Sequence, residues 1–215
     1  MPRPLPRPRA IVFDLDGTLV DSLPDIVGSF LDAFTEQRLQ APPAEAVRRR
    51  VGLPLEAMYA DFAPPERIPA LVEAYRQIYP QRFTRTSRPF PRVPELLAEL
   101  RAHGFRLAVA TTKRSDMAAR FVAAMGLTDA LDHVQGTDGF PHKPAPDVVL
   151  RALEALGADG AWMVGDTTHD VGAGKAAGLA TFAVSWGTHD GETLATAAPD
   201  RLEPDLTTLV EAVLG

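Results

Sequence analysis

Residues 10–18 read Ala10-Ile11-Val12-Phe13-Asp14-Leu15-Asp16-Gly17-Thr18, and this stretch decides the fold. Four consecutive apolar residues with no polar face indicate a strand buried on both sides, as in a parallel sheet. Two acids stand where that strand ends, and a Gly-Thr turn follows at once. The carboxyl ends of strands in open parallel sheets are where such sheets bind ligands. Acids at i and i+2 of an extended backbone project to the same side. Asp14 and Asp16 therefore repel one another, and a cation is the simplest remedy.

Four more short apolar runs, at 107–110, 133–134, 161–164 and 181–184, also read as buried strands. Helical patterns separate them: Pro94 stands ahead of Leu96, Leu97 and Leu100, and Ser115 ahead of Met117, Phe121 and Val122. Val148, Val149, Ala152, Leu153 and Leu156 recur at helical spacing. The alternation predicts an α/β fold, with a Rossmann-like parallel-sheet core and helices on both faces. Residues 20–88 differ, having helical periodicity and no good strand. Ile26, Val27, Phe30, Leu31 and Phe34 share one face, and three further helices are expected around Val47, around Leu55, Met58 and Phe62, and from Leu71 to Ile78. Prolines punctuate them. The expected organisation is a tail at 1–9, a core at 10–19 and 89–215, and a small α-helical insertion at 20–88.

Composition excludes several classes. A formal net charge of −6 argues against a nucleic-acid or membrane surface. No apolar run is long enough to span a bilayer. The absence of cysteine removes disulfides, thiolate metal sites and cysteine nucleophiles, and fits a cytoplasmic location. The Pro- and Arg-rich start lacks the apolar middle of a signal peptide and reads as an extended, passive tail. A monomer or homodimer is expected. Among 22 basic residues only Lys113, Lys143 and Lys175 are lysines. Each supplies a compact, mobile point charge that arginine replaces poorly.

The expected strand ends carry the chemistry: Asp14 and Asp16, then Thr111, Thr112 and Lys113, then His142-Lys143-Pro144, then Gly165-Asp166-Thr167-Thr168-His169-Asp170. A parallel sheet gathers them along one edge. Oxygen ligands without cysteine or a paired-histidine motif suit Mg²⁺ better than zinc. Carboxylates, an ammonium, hydroxyls and turn N–H groups suit Mg²⁺-assisted phosphoryl transfer, with positive charge placed around the phosphoryl oxygens. A carboxylate nucleophile would pass through an aspartyl-phosphate.

These residues resemble the haloacid dehalogenase superfamily, in its phosphoglycolate-phosphatase-like branch. The resemblance rests on four motifs in order: residues 14–22 (Asp-Leu-Asp-Gly-Thr-Leu-Val-Asp-Ser), Thr111, Lys143-Pro144-Ala145-Pro146, and Gly165-Asp166-Thr167 with Asp170. It implies that Asp14 is the nucleophile and Asp16 the general acid and base. Thr111 would bond the transferring phosphoryl group, and Lys143 would neutralise it. Mg²⁺ would be held by Asp14, the Asp16 backbone carbonyl and Asp166. Asp170 would support that site, through a water or Lys143 rather than directly. Gly17, Thr18, Thr112, Lys113 and Gly52 are expected to contact substrate, and the insertion to act as a cap over the site.

The presence of Asp16 argues against dehalogenation, since halide needs no proton. The insertion has no lysine for the Schiff base of phosphonate cleavage. Thr112 departs from the asparagine that many branch members carry, which weakens transfer of substrate identity. The expected reaction is hydrolysis of a small phosphorylated metabolite, with phosphoglycolate first. Pyrophosphate, a sugar phosphate, a nucleotide or a phosphomutase reaction stand behind it, and a silent phosphometabolite-binding module is the reading from another class. Arg48, Arg49 and Arg50 offer one side chain for a second anionic group, the other two reading as solvated. His142 and His169 are weak metal candidates. Tyr59, Phe62, Tyr75 and Tyr79 fit helical core spacing better than a stacking platform.

Overall fold

The computed structural model describes residues 9–215. The expected tail, up to residue 8, lies outside the described residues. Arg9 instead opens the first strand, pairing with Asp159. In chain order the strands are β1 (Arg9–Phe13), β2 (Val20–Asp21), β3 (Arg88–Pro89), β4 (Arg106–Ala110), β5 (His133–Gln135), β6 (Asp159–Gly165), β7 (Ala180–Val184) and β8 (Arg201–Glu203). The helices are α1 (Leu23–Glu36), α2 (Ala44–Arg48), α3 (Leu55–Ala60), α4 (Ile68–Arg82), α5 (Val93–Ala102), α6 (Ser115–Ala124), α7 (Asp147–Leu156), α8 (Thr168–Ala176), α9 (Gly191–Ala195) and α10 (Leu209–Leu214).

Six strands form one sheet in the order β5-β4-β1-β6-β7-β8, with every pairing parallel. Side chains alternate between its faces. Ile11 and Phe13 join Leu107, Val109, Val164 and Phe182 in a core that also takes in α5, α6 and α10. Val12, Ala108, Ala110 and Met163 point the other way and pack against Val148, Val149 and Ala152 of α7. Burial on both faces explains why these strands read as continuous apolar runs.

Two strand features escaped the sequence. β8 has two charged residues among three and lies at the sheet edge, so it shows no apolar run. Within 20–88 a strand does occur: β2 pairs antiparallel with β3, Val20 opposite Pro89 and Asp21 opposite Arg88. Two residues per strand are too few for any periodicity to show. This ribbon brackets α1–α4. Inside the bracket, Phe30 stacks on Tyr59 at 4.0 Å and 10°, with Phe34 at 5.8 Å from the same ring.

The sheet order places the site. After β1 the chain builds β4 and β5 on one side, then β6, β7 and β8 on the other. The order therefore reverses around β1, and the crevice at such a switch point is where open α/β sheets take ligands.

Candidate active site

Asp14 follows β1 directly, and its N–H donates to the Val164 carbonyl of β6 at 2.8 Å. Lys143, in the loop ahead of α7, reaches under the strand ends. Its Nζ donates to Asp14 Oδ1 at 2.5 Å, Asp170 Oδ1 at 2.6 Å and the Ala110 carbonyl at 3.1 Å. Asp170 is N3 of α8. Its Oδ2 accepts from the Thr167 N–H at 2.9 Å and the Thr167 hydroxyl at 2.6 Å, forming a capping box. Both Asp170 oxygens are thus occupied by protein donors, one of them Lys143.

Asp166 ends up fully buried. Its Oδ1 accepts from the Thr18 hydroxyl at 2.7 Å, and its Oδ2 from the Thr188 N–H at 2.7 Å. Glycine is required on both sides of it. A Cβ at Gly17 (φ +83°) would lie 2.3 Å from Asp166 Oδ2, and one at Gly187 would lie 2.2 Å from the same atom. Both are closer than non-bonded atoms approach.

Asp14, Asp166 and Asp170 each offer a carboxylate oxygen within 4.8 Å of the others, all three buried. Burial pushes the Asp14 carboxyl well above its ordinary value. Lys143 opposes that rise, while Asp170, Asp166 and Asp16 add to it. Burial, then Asp170, pushes Asp166 up to about 7 against the donors Thr188 and Thr18. Burial disfavours the Lys143 ammonium too, but Asp14 and Asp170 outweigh it and hold the group above its ordinary value. An all-oxygen cluster with excess negative charge is a fitting chemistry for Mg²⁺. No histidine belongs to that cluster among the described residues.

Asp16 stands apart from the cluster. Its Oδ1 accepts from the Ser22 hydroxyl at 2.6 Å and its Oδ2 from Lys113 Nζ at 2.6 Å. Lys113 Nζ also lies 4.8 Å from the Tyr79 ring centroid and 5.1 Å from that of Phe121. Thr111 is buried at the end of β4. Its N–H donates to Gln135, its carbonyl accepts from the Thr137 hydroxyl, and its own hydroxyl oxygen accepts from the Lys113 N–H at 3.3 Å.

Asp14, Asp16, Thr112, Lys113, Gly52 and His142 line a cleft of about 700 Å³. Gly17 and Thr18 are not on its wall: Gly17 backs onto Asp166, and Thr18, fully buried, gives its hydroxyl to Asp166. Gly52 comes from the helical insertion, and a Cβ there would sit 3.2 Å from Thr167. Arg48, off this cleft, donates to the Gly187 carbonyl at 2.9 Å. Of its neighbours, Arg50 pairs with Asp61 and Arg49 with Glu45 at exposed positions. Lys175 holds the carbonyls of Ala197 and Ala198.

The aromatic expectation holds for the core. Tyr59 and Tyr79 are buried in the core, and Phe62 and Tyr75 pack against it; Tyr75 and Tyr79 also border the cleft, their rings stacked at 5.3 Å and 9°. Residues at i and i+4 share one helical face, and the sequence does not say whether that face meets core or cavity. Sequence reasoning also missed the roles of Ser22, Thr188 and Gly187, which sit in turns without a periodic signal.

The sheet order, the carboxylate cluster and its buried lysine define a known class. The chain belongs to the haloacid dehalogenase-like hydrolases, whose family model matches residues 11–184. It falls in their phosphoglycolate-phosphatase-like branch. It is 34% identical over 182 residues to the phosphoglycolate phosphatase of Aquifex aeolicus (strain VF5), covering 83% of this chain and 85% of that one. It is 39% identical over 198 residues to "Probable phosphatase IndB" of Dickeya dadantii (strain 3937), covering 88% and 86%. Among solved structures, a haloacid dehalogenase-like family hydrolase from Streptococcus pneumoniae aligns with a TM-score of 0.86 at 28% identity, over 94% of this chain and 97% of that one. The protein is therefore an enzyme of this hydrolase class.

Proposed function

We propose that the protein hydrolyses a small phosphate monoester with Mg²⁺, through an aspartyl-phosphate on Asp14. The observation that carries this reading is the contact of Lys143 with both Asp14 and Asp170, beside Asp166. The arrangement keeps one carboxylate at the cleft floor next to a fixed positive charge. The relatives' names, two phosphatases, support the same reaction.

Asp14 attacks phosphorus, forming an Asp14–phosphorus bond as the ester P–O bond breaks. Asp16, on the cleft wall, takes up a proton from solvent or from the incoming monoester as the phosphate draws Lys113 away from it, and gives that proton to the departing alkoxide. It then takes a proton from the water that cleaves the aspartyl-phosphate, and inorganic phosphate leaves. Lys143 holds the Asp14 carboxylate in place and balances charge on the phosphoryl oxygens. Thr111 has its hydroxyl hydrogen available for one of those oxygens. Lys113, shared between Asp16 and the cleft, is positioned to meet an incoming phosphate. Asp14 and Asp166, with the Asp16 backbone carbonyl, would hold Mg²⁺, and Asp170 acts through Lys143. Bound there, Mg²⁺ supplies positive charge against the oxygens of the transferring group. The insertion 20–88 serves as the cap, with Gly52 at the cleft and Arg48 tying the insertion to the Gly187 carbonyl of the core.

Phosphoglycolate is the substrate named for several relatives, and it heads the panel for testing, with pyrophosphate beside it at matched concentration. Asp14→Asn lowers Mg²⁺-dependent kcat at least about a thousandfold, the scale expected when a nucleophile is lost. Full turnover in that variant would remove Asp14 from the role.

A further inference from the structure

The cleft above Asp14 and Asp16 has unequal walls. Its volume of about 700 Å³ falls in the roughly 300–1,000 Å³ range of pockets for drug-sized ligands. The sheet core contributes Thr112, Lys113, Arg114 and Asp138, which are polar. The helical insertion contributes Ile26, Val51, Leu55, Met58, Tyr75 and Tyr79. The insertion's one basic residue on this wall is Arg76, and Glu56, also on the wall, takes it at 3.1 Å.

The core's cations are mostly taken as well. Lys113 pairs with Asp16 at 2.6 Å and Arg114 with Asp116 at 3.2 Å. Arg120 is the one cleft arginine without a carboxylate partner among the described residues. It is exposed, more than a turn along α6 from its start. A leaving group with a carboxylate beside its phosphate would thus lie against apolar side chains, with no free cation on the wall that faces it. Burying a charge that way is costly. A flat apolar group instead meets the half-buried Tyr75 ring, which the buried Tyr79 ring backs, and Leu55 beside it. Such surfaces favour aromatic contacts.

We infer that the leaving group is an uncharged, ring-bearing alcohol lying against Tyr75, so that the preferred substrate is a ring-bearing phosphate monoester rather than phosphoglycolate. This rests on the phosphate-monoester reading of the same site. Benzyl phosphate and ethyl phosphate test it, since both release a primary alcohol of similar basicity and differ in the ring. With Mg²⁺ and the full chain, kcat/KM for benzyl phosphate exceeds that for ethyl phosphate and for phosphoglycolate by roughly tenfold, the scale of one well-packed aromatic contact. In Tyr75→Ala the benzyl-to-ethyl ratio falls several-fold, mostly through KM. Tyr75→Leu keeps apolar bulk without the ring, and shows the same fall if the alanine variant folds poorly. A higher kcat/KM for phosphoglycolate overturns the inference and leaves the phosphatase reading standing. A ratio unmoved in both variants also overturns it. Absence of Mg²⁺-dependent turnover with every ester overturns the reading beneath it.

Discussion

Asp25→Ala should destabilise the protein more than any exposed substitution, because Asp25 ties the outgoing and returning chains of the insertion together. It lies in the first turn of α1 and is 2% exposed. Its Oδ2 accepts from the N–H groups of Thr86 and Ser87, both at 2.9 Å, and from the Ser87 hydroxyl at 2.8 Å. Its Oδ1 accepts from the Thr86 hydroxyl at 2.9 Å. In the alanine variant the hydroxyls can turn toward other acceptors, but the buried backbone N–H of Ser87 cannot. The N–H of exposed Thr86 can turn to water, but that of buried Ser87 is left unpaired at about 1–3 kcal/mol, so the loss is about 2 kcal/mol. For a chain of this size, about 2–4 °C is lost per kcal/mol, which puts the fall in Tm at roughly 4–8 °C. Thermal unfolding followed by circular dichroism measures it. Burial works to raise the Asp25 carboxyl, and the donors Thr86 and Ser87 more than offset it, leaving the group below 3.8. A depressed folded value means that the carboxylate's stabilisation is fully present above 3.8 and is lost as pH falls through the folded value. The gap between wild type and Asp25→Ala therefore narrows in acid. A Tm change under 2 °C at neutral pH, or a gap that widens below pH 3.8, would refute the reasoning.

Mg²⁺ should stabilise the folded protein, because it binds a site that the unfolded chain lacks: at a hundredfold excess over Kd the gain is about 2.7 kcal/mol. That corresponds to a rise in Tm of roughly 5–11 °C, reversed by a chelator, and an unchanged Tm at all Mg²⁺ concentrations would contradict the cluster's assignment. Gly187→Ala places a Cβ 2.2 Å from Asp166 Oδ2 and 2.4 Å from the Gly17 carbonyl. Overpacking of this kind costs about 1–3 kcal/mol, and the displaced Asp166 should raise the Mg²⁺ concentration for half-activation severalfold, which a metal titration of activity reads directly.

The core strands were legible because burial on both faces leaves an unmixed apolar run, as at Ile11–Phe13 and Val109 beside them. The acids at the strand ends were legible because a charge directly after such a run has few structural reasons to be there. What the sequence hid lies where one element's residue serves another's. Thr18 supports Asp166 across 148 residues, and Arg48 reaches Gly187 across 139. Neither distance leaves a local pattern. Tyr75 and Tyr79 illustrate a second limit. Their spacing gives the shared core face that they take, and does not show that the same pair also borders a cavity. β8 shows a third, since an edge strand has only one neighbour to satisfy and tolerates charge at two of its three positions.

The distribution of charge in the site explains why two of the three lysines are found there. Lys113 and Asp16 form a pair that is neutral taken together. Asp14, Asp166 and Asp170 share only Lys143, which leaves two excess negative charges in a buried volume. Thr18 and Thr188 bring dipoles to Asp166 but no charge. Such a cluster has two ways to relieve its repulsion: it can take up protons, as the raised Asp14 and Asp166 groups indicate, or it can take up a divalent cation. The second keeps Asp14 ionised, which a nucleophile requires. Lys143 alone is too little positive charge to do so, and a second lysine in its place would occupy the position from which a metal meets the phosphoryl oxygens. On this reading the deficit of two charges is itself functional, because it reserves a place for a divalent ion while the neutral Asp16–Lys113 pair keeps the proton-transfer group out of the cluster.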